Sequence, residues 1–490
     1  MALRWDSAMV IGGGIAGLLA ARVLSDFYGK VIIVEKDALS QKPELRPGTP
    51  QAFHPHRITG RGKAVIDRFF PDYEKDLVAY GAPSSLNKTI YQQNQYGTMV
   101  GQYPRNDIKF SRPVLEFVIR QRVRKIPNVQ FLQKHDVVHL LSSPDRQTIT
   151  GILGRDRVSN EEREISADLV VDTSGRSSKL PQWLKELGYG VPAPDRMTAA
   201  IGYSTRRYKL PSHSLHLAEK WDAIVIAGHP STGTYHGVFS FIENNVAETL
   251  LYRPDGIHPP AEPEAYAKEI ARLPSPLISE IVSELEPLAN PRSYRVPALF
   301  RQHFEQMARW PEGLIVIGDA FCNFDPIFGQ GMTVSAMEAE VLHSMLREQR
   351  TDPKPHFEQN VLQKIQDVIT PAWWLNCIAD LQWKGVEYEG SQPLKGLEFG
   401  KKFMDLYLKR ATEEQDWKLY GTYWAVNTLS VSPQCILNPQ TVTDVLSACP
   451  KGRLWLNELL AEQKKPLEEL LDDILPSFHG EVFQPISCIH

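Results

Sequence analysis

The chain opens on a short apolar run, Ala8-Met9-Val10-Ile11, followed by Gly12-Gly13-Gly14 and a helix-forming stretch from Ile15 to Ser25. Val31-Ile32-Ile33-Val34 comes next, β-branched and apolar enough for a strand buried on both faces. Strand, glycine turn, helix and strand in that order predict a βαβ unit, and with it a parallel sheet covered by helices. Gly12, Gly14 and Gly17 form a GxGxxG. The first allows a tight turn, the second lets backbone approach a pyrophosphate, and the third lets the helix pack on the strand. Ile15 and Ala16 start the helix, whose free N–H groups and positive dipole end suit phosphate oxygens. Glu35 closes the second strand, where a carboxylate accepts bonds from ribose hydroxyls. The pattern predicts a dinucleotide site.

At about 150 residues per domain, a chain of 490 residues has room for about three units with their own cores. Its 54 Lys+Arg against 58 Asp+Glu, with no basic block, gives no reason to expect nucleic acid or an anionic membrane surface. The five cysteines (Cys322, Cys377, Cys435, Cys449, Cys488) are odd in number and far apart, without a CxxC. This argues against a zinc cluster or a disulfide framework and suits a reducing, cytoplasmic setting. Ala8 to Leu24 is apolar, but it is interrupted by glycines and shorter than the roughly 20 residues of a membrane span.

A second motif lies in the other half of the chain: Ile317-Gly318-Asp319-Ala320, then Pro326, then Gly329-Gln330-Gly331-Met332 before a helix. Here the sequence resembles the FAD-dependent monooxygenases of the p-hydroxybenzoate hydroxylase type. The resemblance implies that Asp319 binds the ribityl chain. It also implies that Gly329 to Met332 set backbone N–H groups against the flavin's N1–C2=O edge. A helix N-terminus there stabilises the negative charge of reduced flavin, so Gly329, Gln330, Gly331 and Met332 are candidate catalytic positions. Ala167 to Ser178 matches a third segment of that family, with Gly175 and Ser178 in register and Ser174 where the family has Asp. That segment serves flavin and nicotinamide alike. NAD(P)H or a separate flavin reductase is therefore the expected electron donor, with O2 as co-substrate.

Arg46-Pro-Gly-Thr-Pro-Gln51 and His54-Pro-His56, with Arg112 and Arg120 on the helix from Ser111 to Val123, resemble a narrower branch that includes bacterial epoxidases of polyene precursors. The likeness runs more weakly through Pro371-Ala-Trp-Trp374 and Asp380. Arg46, Gln51, Arg112 and Arg120 are candidate partners of FAD, Arg112 or Arg120 pairing with its pyrophosphate and a solvated helix face being the alternative. Lys36, Val137 and Gly318 complete the candidate cofactor set. His54 and His56 point to one side of an extended segment and are assigned a role beside the flavin, with structural histidines as the alternative and no metal site expected. Trp373, Trp374, Trp383, Trp417 and Trp424 either wall an apolar pocket or pack helices. Leu454 to Leu475 reads as an amphipathic, acidic helix that packs on a partner helix or domain.

The expected fold is α/β: a Rossmann-like (GR2-type) FAD-binding domain with an inserted antiparallel-sheet substrate domain and a helical C-terminal region. The expected boundaries are 1–80, 105–190 and 290–350 for the FAD domain, 81–104 and 191–289 for the sheet domain, and 351–490 for the helical part. The resemblance implies epoxidation or hydroxylation of a hydrophobic secondary metabolite through a flavin C4a-hydroperoxide, with water excluded. Three alternatives share the fold. A halogenase would need a WxWxIP element and an active-site Lys, which are not found. A reductase or dehydrogenase of isoprenoid-like lipids would keep all the flavin motifs. An escort protein like the Rab GDP-dissociation inhibitors would lack flavin, and the intact Asp319 and Gly329–Met332 loop oppose it.

Overall fold

The computed structural model describes residues 5–103 and 105–483; Cys488 lies outside the described residues. The β-branched runs form a five-stranded parallel sheet in the spatial order Leu314–Val316, Leu169–Asp172, Ser7–Ile11, Lys30–Glu35, Val129–Gln133. Every residue of Leu169–Asp172 and of Leu314–Val316 is buried, as strands covered on both faces require. The helices Ile15–Leu24, Arg112–Arg124 and Gln330–Thr351 pack around this sheet, the first of them directly against the third. His135–Ser142 and Ile149–Asp156 form an antiparallel hairpin, extended by Glu162–Ser166.

A larger sheet holds Ile201–Lys209, Val246–Arg253, His236–Ile242, Trp221–Ile226, Thr89–Asn94 and Gly97–Gln102 in that order. Its pairings are antiparallel except that Trp221–Ile226 runs parallel to Thr89–Asn94. Arg292–Val296 also pairs with Ile201–Lys209, placing Tyr294 opposite Tyr203. On the other side Tyr203 faces Tyr252. Three tyrosines thus stand in a row across neighbouring strands, on one face.

Beyond residue 351 the chain is mainly helical, with two departures from expectation. The helix that carries Pro371-Ala-Trp-Trp374 and Asp380 runs over Phe357–Asp380, with Pro371 inside it. The stretch from Leu454 to Leu475 is two helices, Pro450–Gln463 and Leu467–Ile474, broken where Lys464 takes a left-handed conformation just before Pro466. Glu387–Glu389 is a strand, paired to Asp195–Thr198 in a small third sheet. Trp373 and Trp374 are buried as helix packing, for example Trp374 edge-on to Phe478, whereas the buried Trp383 lies against His236 and Arg253 of the larger sheet. Among the described residues no helix is long and apolar enough to cross a membrane.

Candidate functional site

The two glycine loops, far apart in sequence, face one cavity of about 830 Å³ between the parallel sheet and the tyrosine face of the larger sheet. At one end stands the turn between Ser7–Ile11 and its helix. Gly12 has φ +103°, and a Cβ there would sit 2.8 Å from the Thr173 carbonyl oxygen. A Cβ on Gly17 would come within 1.9 Å of the Gly12 carbonyl oxygen, so helix and turn pack with no room for a side chain. Gly14 is different: the nearest atom to its Cβ position is Arg46 Nη2, at 3.9 Å. Nothing in the fold fills the space over Gly14, and helix Ile15–Leu24 begins there with no side-chain cap. Its first N–H groups are left for a ligand.

Glu35 lies at the cavity edge. Its Oε2 accepts the Gly13 N–H at 2.8 Å and its Oε1 the Asp37 N–H at 2.9 Å, which fixes the carboxylate and leaves lone pairs for further donors. Arg46 is held by three carboxylates: Nη1 to Asp37 at 2.8 Å and to Glu35 at 3.3 Å, and Nε to Glu116 at 2.8 Å. Its Nη2 is the group directed at Gly14. Arg112 also lines the cavity; its buried Nε lacks a hydrogen-bond partner and lies 3.5 Å from Glu116 Oε2. Burial works against its charge, and Glu116 offsets this in part.

At the other end, Gly318 has φ +70° and donates its N–H to the buried Glu338. Asp319 then projects into the cavity, enclosed by protein yet open to the cavity itself. Among the described residues its carboxyl has no hydrogen-bond partner. Burial pushes its pKa up, against the opposing charges of Arg112 and Arg176. Gly329 adopts a left-handed conformation and opens the helix Gln330–Thr351, again without a side-chain cap. A Cβ on Gly331 would meet nothing within 4 Å. An uncapped helix start thus closes each end of the cavity. The open space over Gly14 and Gly331, the Arg112 guanidinium on the cavity wall and the unpartnered Asp319 carboxyl fit a long dinucleotide lying between them.

The segment Pro50–His56 crosses beside this space. Phe53 is held between the guanidinium groups of Arg207 and Arg292, 4.5 and 4.4 Å from its ring centre. His54 shares a hydrogen bond with the Thr205 hydroxyl at 2.8 Å and meets the Tyr203 ring edge-on. His56 Nδ1 lies 2.8 Å from the His54 carbonyl oxygen. A carbonyl only accepts, so Nδ1 carries the proton and Nε2 keeps a lone pair. Burial pushes the pKa of each down to about 3, helped by neighbouring cations, and both rings are neutral near pH 7.

Of the positions singled out in the sequence, Gly12, Gly14, Ile15, Ala16, Glu35, Lys36, Arg46, Gln51, His54, His56, Arg112, Val137, Gly175, Asp319, Pro326, Gly329, Gly331 and Met332 line the cavity. Gly17 and Gly318 sit just behind it. Arg120 instead pairs with Glu116 at 3.6 Å and bonds the Ser40 carbonyl. Gln330 turns its amide away, donating to the Asn427 carbonyl at 2.7 Å and accepting from Asn376 at 2.6 Å. The wall left for a substrate holds Tyr203, Leu250, Tyr252, Tyr294, Val296 and Phe324, which motif reasoning does not find. Their only signal is alternation along strands whose pairing is long-range. The described residues hold no cluster fit for a metal ion.

No protein-family model matches the chain. Protein Rv3254 of Mycobacterium tuberculosis (strain ATCC 25618 / H37Rv) is 32% identical over 396 residues, covering 77% of this chain and 81% of that protein. Squalene monooxygenase of Rattus norvegicus is 22% identical over 344 residues, 69% of this chain and 54% of that enzyme. Among solved structures, the flavin-dependent brominase Bmp2 superposes with a TM-score of 0.60 at 14% identity, covering 93% of this chain and 98% of that one. PqsL of P. aeruginosa in complex with 2-aminobenzoylacetate gives 0.57 at 14% identity, over 77% and 97%. At such identities these structures establish the fold, which this chain shares with Bmp2 and PqsL.

Proposed function

The chain belongs to the family of Mycobacterium tuberculosis protein Rv3254, and from that premise and its flavoprotein fold we propose that it is an FAD-dependent monooxygenase acting on a hydrophobic small molecule. One observation carries the reading: a single cavity reaches from the Gly12–Gly17 turn past Asp319 to Gly329–Met332 and on to an aromatic wall. The helix start at Gly14 and the Arg46 Nη2 hold the pyrophosphate, with Arg112 as a second cation. Glu35 takes the ribose and Asp319 the ribityl hydroxyls. The N–H groups at the start of Gln330–Thr351 would hold the flavin ring, since a helix N-terminus favours the negative charge that reduced flavin carries. FAD when bound supplies reductive activation of O2, one oxygen atom entering the substrate and the other leaving as water.

The remaining task of the chain is to orient the substrate and keep the site dry. The tyrosine row, Leu250, Val296 and Phe324 offer an apolar, aromatic wall. His54 and His56, neutral and fixed, add a polar edge without a charge. Epoxidation of an alkene and hydroxylation of an electron-rich ring are both compatible with this wall. Sequence similarity to squalene monooxygenase supports the oxygen-inserting reading over halogenation or double-bond reduction. Electrons come from NAD(P)H, directly or through a flavin reductase. The test is incubation of the FAD-loaded, reduced protein with panels of polyenes and aromatics under 18O2. One labelled oxygen per product supports the proposal. Reduced double bonds or halogenated products, with no label, overturn it.

A further inference from the structure

Beneath the loop that opens the long helix lies a buried carboxyl pair that the chemistry above does not use. Asp325 is fully enclosed, and its N–H and both carboxyl oxygens are engaged. Its N–H donates to Asn376 Oδ1 at 2.6 Å, and its Oδ1 accepts the Ile327 N–H at 2.9 Å. Its Oδ2 accepts the Tyr252 hydroxyl, and Asn376, which receives its N–H, lies one helical turn before Asp380, so the Asp380 carboxyl stands on the side of its helix that meets Asp325. Asp380 ends the helix Phe357–Asp380 and is as deeply buried; among the described residues no donor reaches its Oδ2.

Two neighbouring carboxyls buried this deeply do not both ionise, so the pair holds a proton. Asp325 receives an N–H and an O–H, both of which favour its ionised form. Asp380 meets only burial and the negative charge of Asp325, and its pKa is driven far above the usual carboxylate range. Asp380 therefore carries the proton and Asp325 the charge. The other titratable groups facing the pair are Tyr252 and Tyr203 from the sheet and Cys377 from the helix, all pushed up by burial and neutral. Arg301 and Asp195 act on Cys377.

Asp325 is also where the loop to Met332 is anchored. Through it the loop is joined to a sheet strand by Tyr252 and to the C-terminal helix by Asn376, while Gln330 secures the far end through the same Asn376. We propose that Asp380 is a positioning residue: one shared proton fastens Asp325, and with it the loop Asp325–Met332, and loss of that proton sets two carboxylates against each other and loosens the loop's hold on FAD. The inference rests on the FAD reading above.

Two measurements test it. The first is the infrared carboxyl stretch of the protein without added FAD, as a difference between wild type and Asp380→Asn. A band of a buried protonated carboxyl, lost in the variant, is expected; its absence from the wild type at neutral pH overturns the proposal. The second is FAD affinity against pH by fluorescence titration. Wild type is expected to lose affinity tenfold or more on the alkaline side. Asp380→Asn, whose amide donates at every pH, holds its affinity flat over the same range, and Asp380→Ala is weaker throughout. An identical alkaline loss in wild type and Asp380→Asn overturns this inference alone. No FAD binding at any pH overturns the flavin reading and this inference with it.

Discussion

Replacing Gly14 by Val separates ligand binding from folding, because the two uses of the glycine turn fall on different residues. Gly14 has φ −77° and ψ −174°, a conformation open to any residue, and the nearest atom to a Cβ there is 3.9 Å away. The fold therefore loses little. Valine caps a helix less well than glycine, but the stiffer unfolded chain returns a comparable amount, so the net change stays within about 1 kcal/mol. The ligand loses much more. The added side chain occupies the space in which a pyrophosphate would meet the helix N–H groups and Arg46 Nη2. Forfeiting two charge-assisted hydrogen bonds costs about 3–6 kcal/mol, or roughly 10²- to 10⁴-fold in affinity. Flavin fluorescence quenching on titration of the apoprotein gives the Kd, and thermal unfolding of the same samples gives the stability. Gly17→Ala is the control with the opposite signature: its Cβ would lie 1.9 Å from the Gly12 carbonyl oxygen, and the fold is expected to lose about 3 kcal/mol. A Gly14→Val protein that melts normally and binds FAD within threefold of wild type would refute the placement of the pyrophosphate.

Asp319→Ala removes the unpartnered carboxyl in the cavity and is expected to lower retained flavin after dialysis by about tenfold, as the loss of one hydrogen bond from a charged group predicts; unchanged visible absorbance would count against the ribityl role. His54 and His56 titrate near 3 when folded and near 6.5 when unfolded, so the unfolded chain takes up protons first as pH falls. Stability is therefore full above pH 6.5 and declines from there toward pH 3, by about 2 kcal/mol per histidine at pH 5; His54→Gln and His56→Gln should each flatten the melting curve against pH. Gln330→Ala leaves the Asn427 carbonyl and the Asn376 amide short of a partner and should cost about 2 kcal/mol of stability, seen as a lower denaturant midpoint. If Ser174 weakens nicotinamide use, NADPH alone bleaches the bound flavin slowly without oxygen, and fast bleaching would dispose of that idea.

The parts of the fold visible in the sequence are those decided within a few residues. The Gly12–Gly17 turn, its two flanking strands and the Gly329 helix start depend on local backbone freedom and on short apolar runs, and these survive as linear patterns. The substrate wall is another matter. Tyr203, Tyr252 and Tyr294 stand in a row because three strands from distant segments pair in one register, and no local signal states that register. Gln330 shows the limit of a motif: its place in the loop is clear from sequence, while the side to which its amide turns depends on Asn376 and Asn427 from the C-terminal helices. Asp325, one residue before Pro326, carries no local signal for the same reason, since its partners Tyr252 and Asn376 lie on other elements. The break between the last two long helices turned on a single left-handed residue, Lys464, which amphipathic spacing carries straight across.

The central claim is tested most directly by a crystal structure of the protein loaded with FAD. The account predicts one flavin whose pyrophosphate rests on the start of helix Ile15–Leu24 and whose ring edge receives N–H groups from Gly329–Met332. A flavin bound elsewhere, or one that touches a single glycine loop, would contradict it.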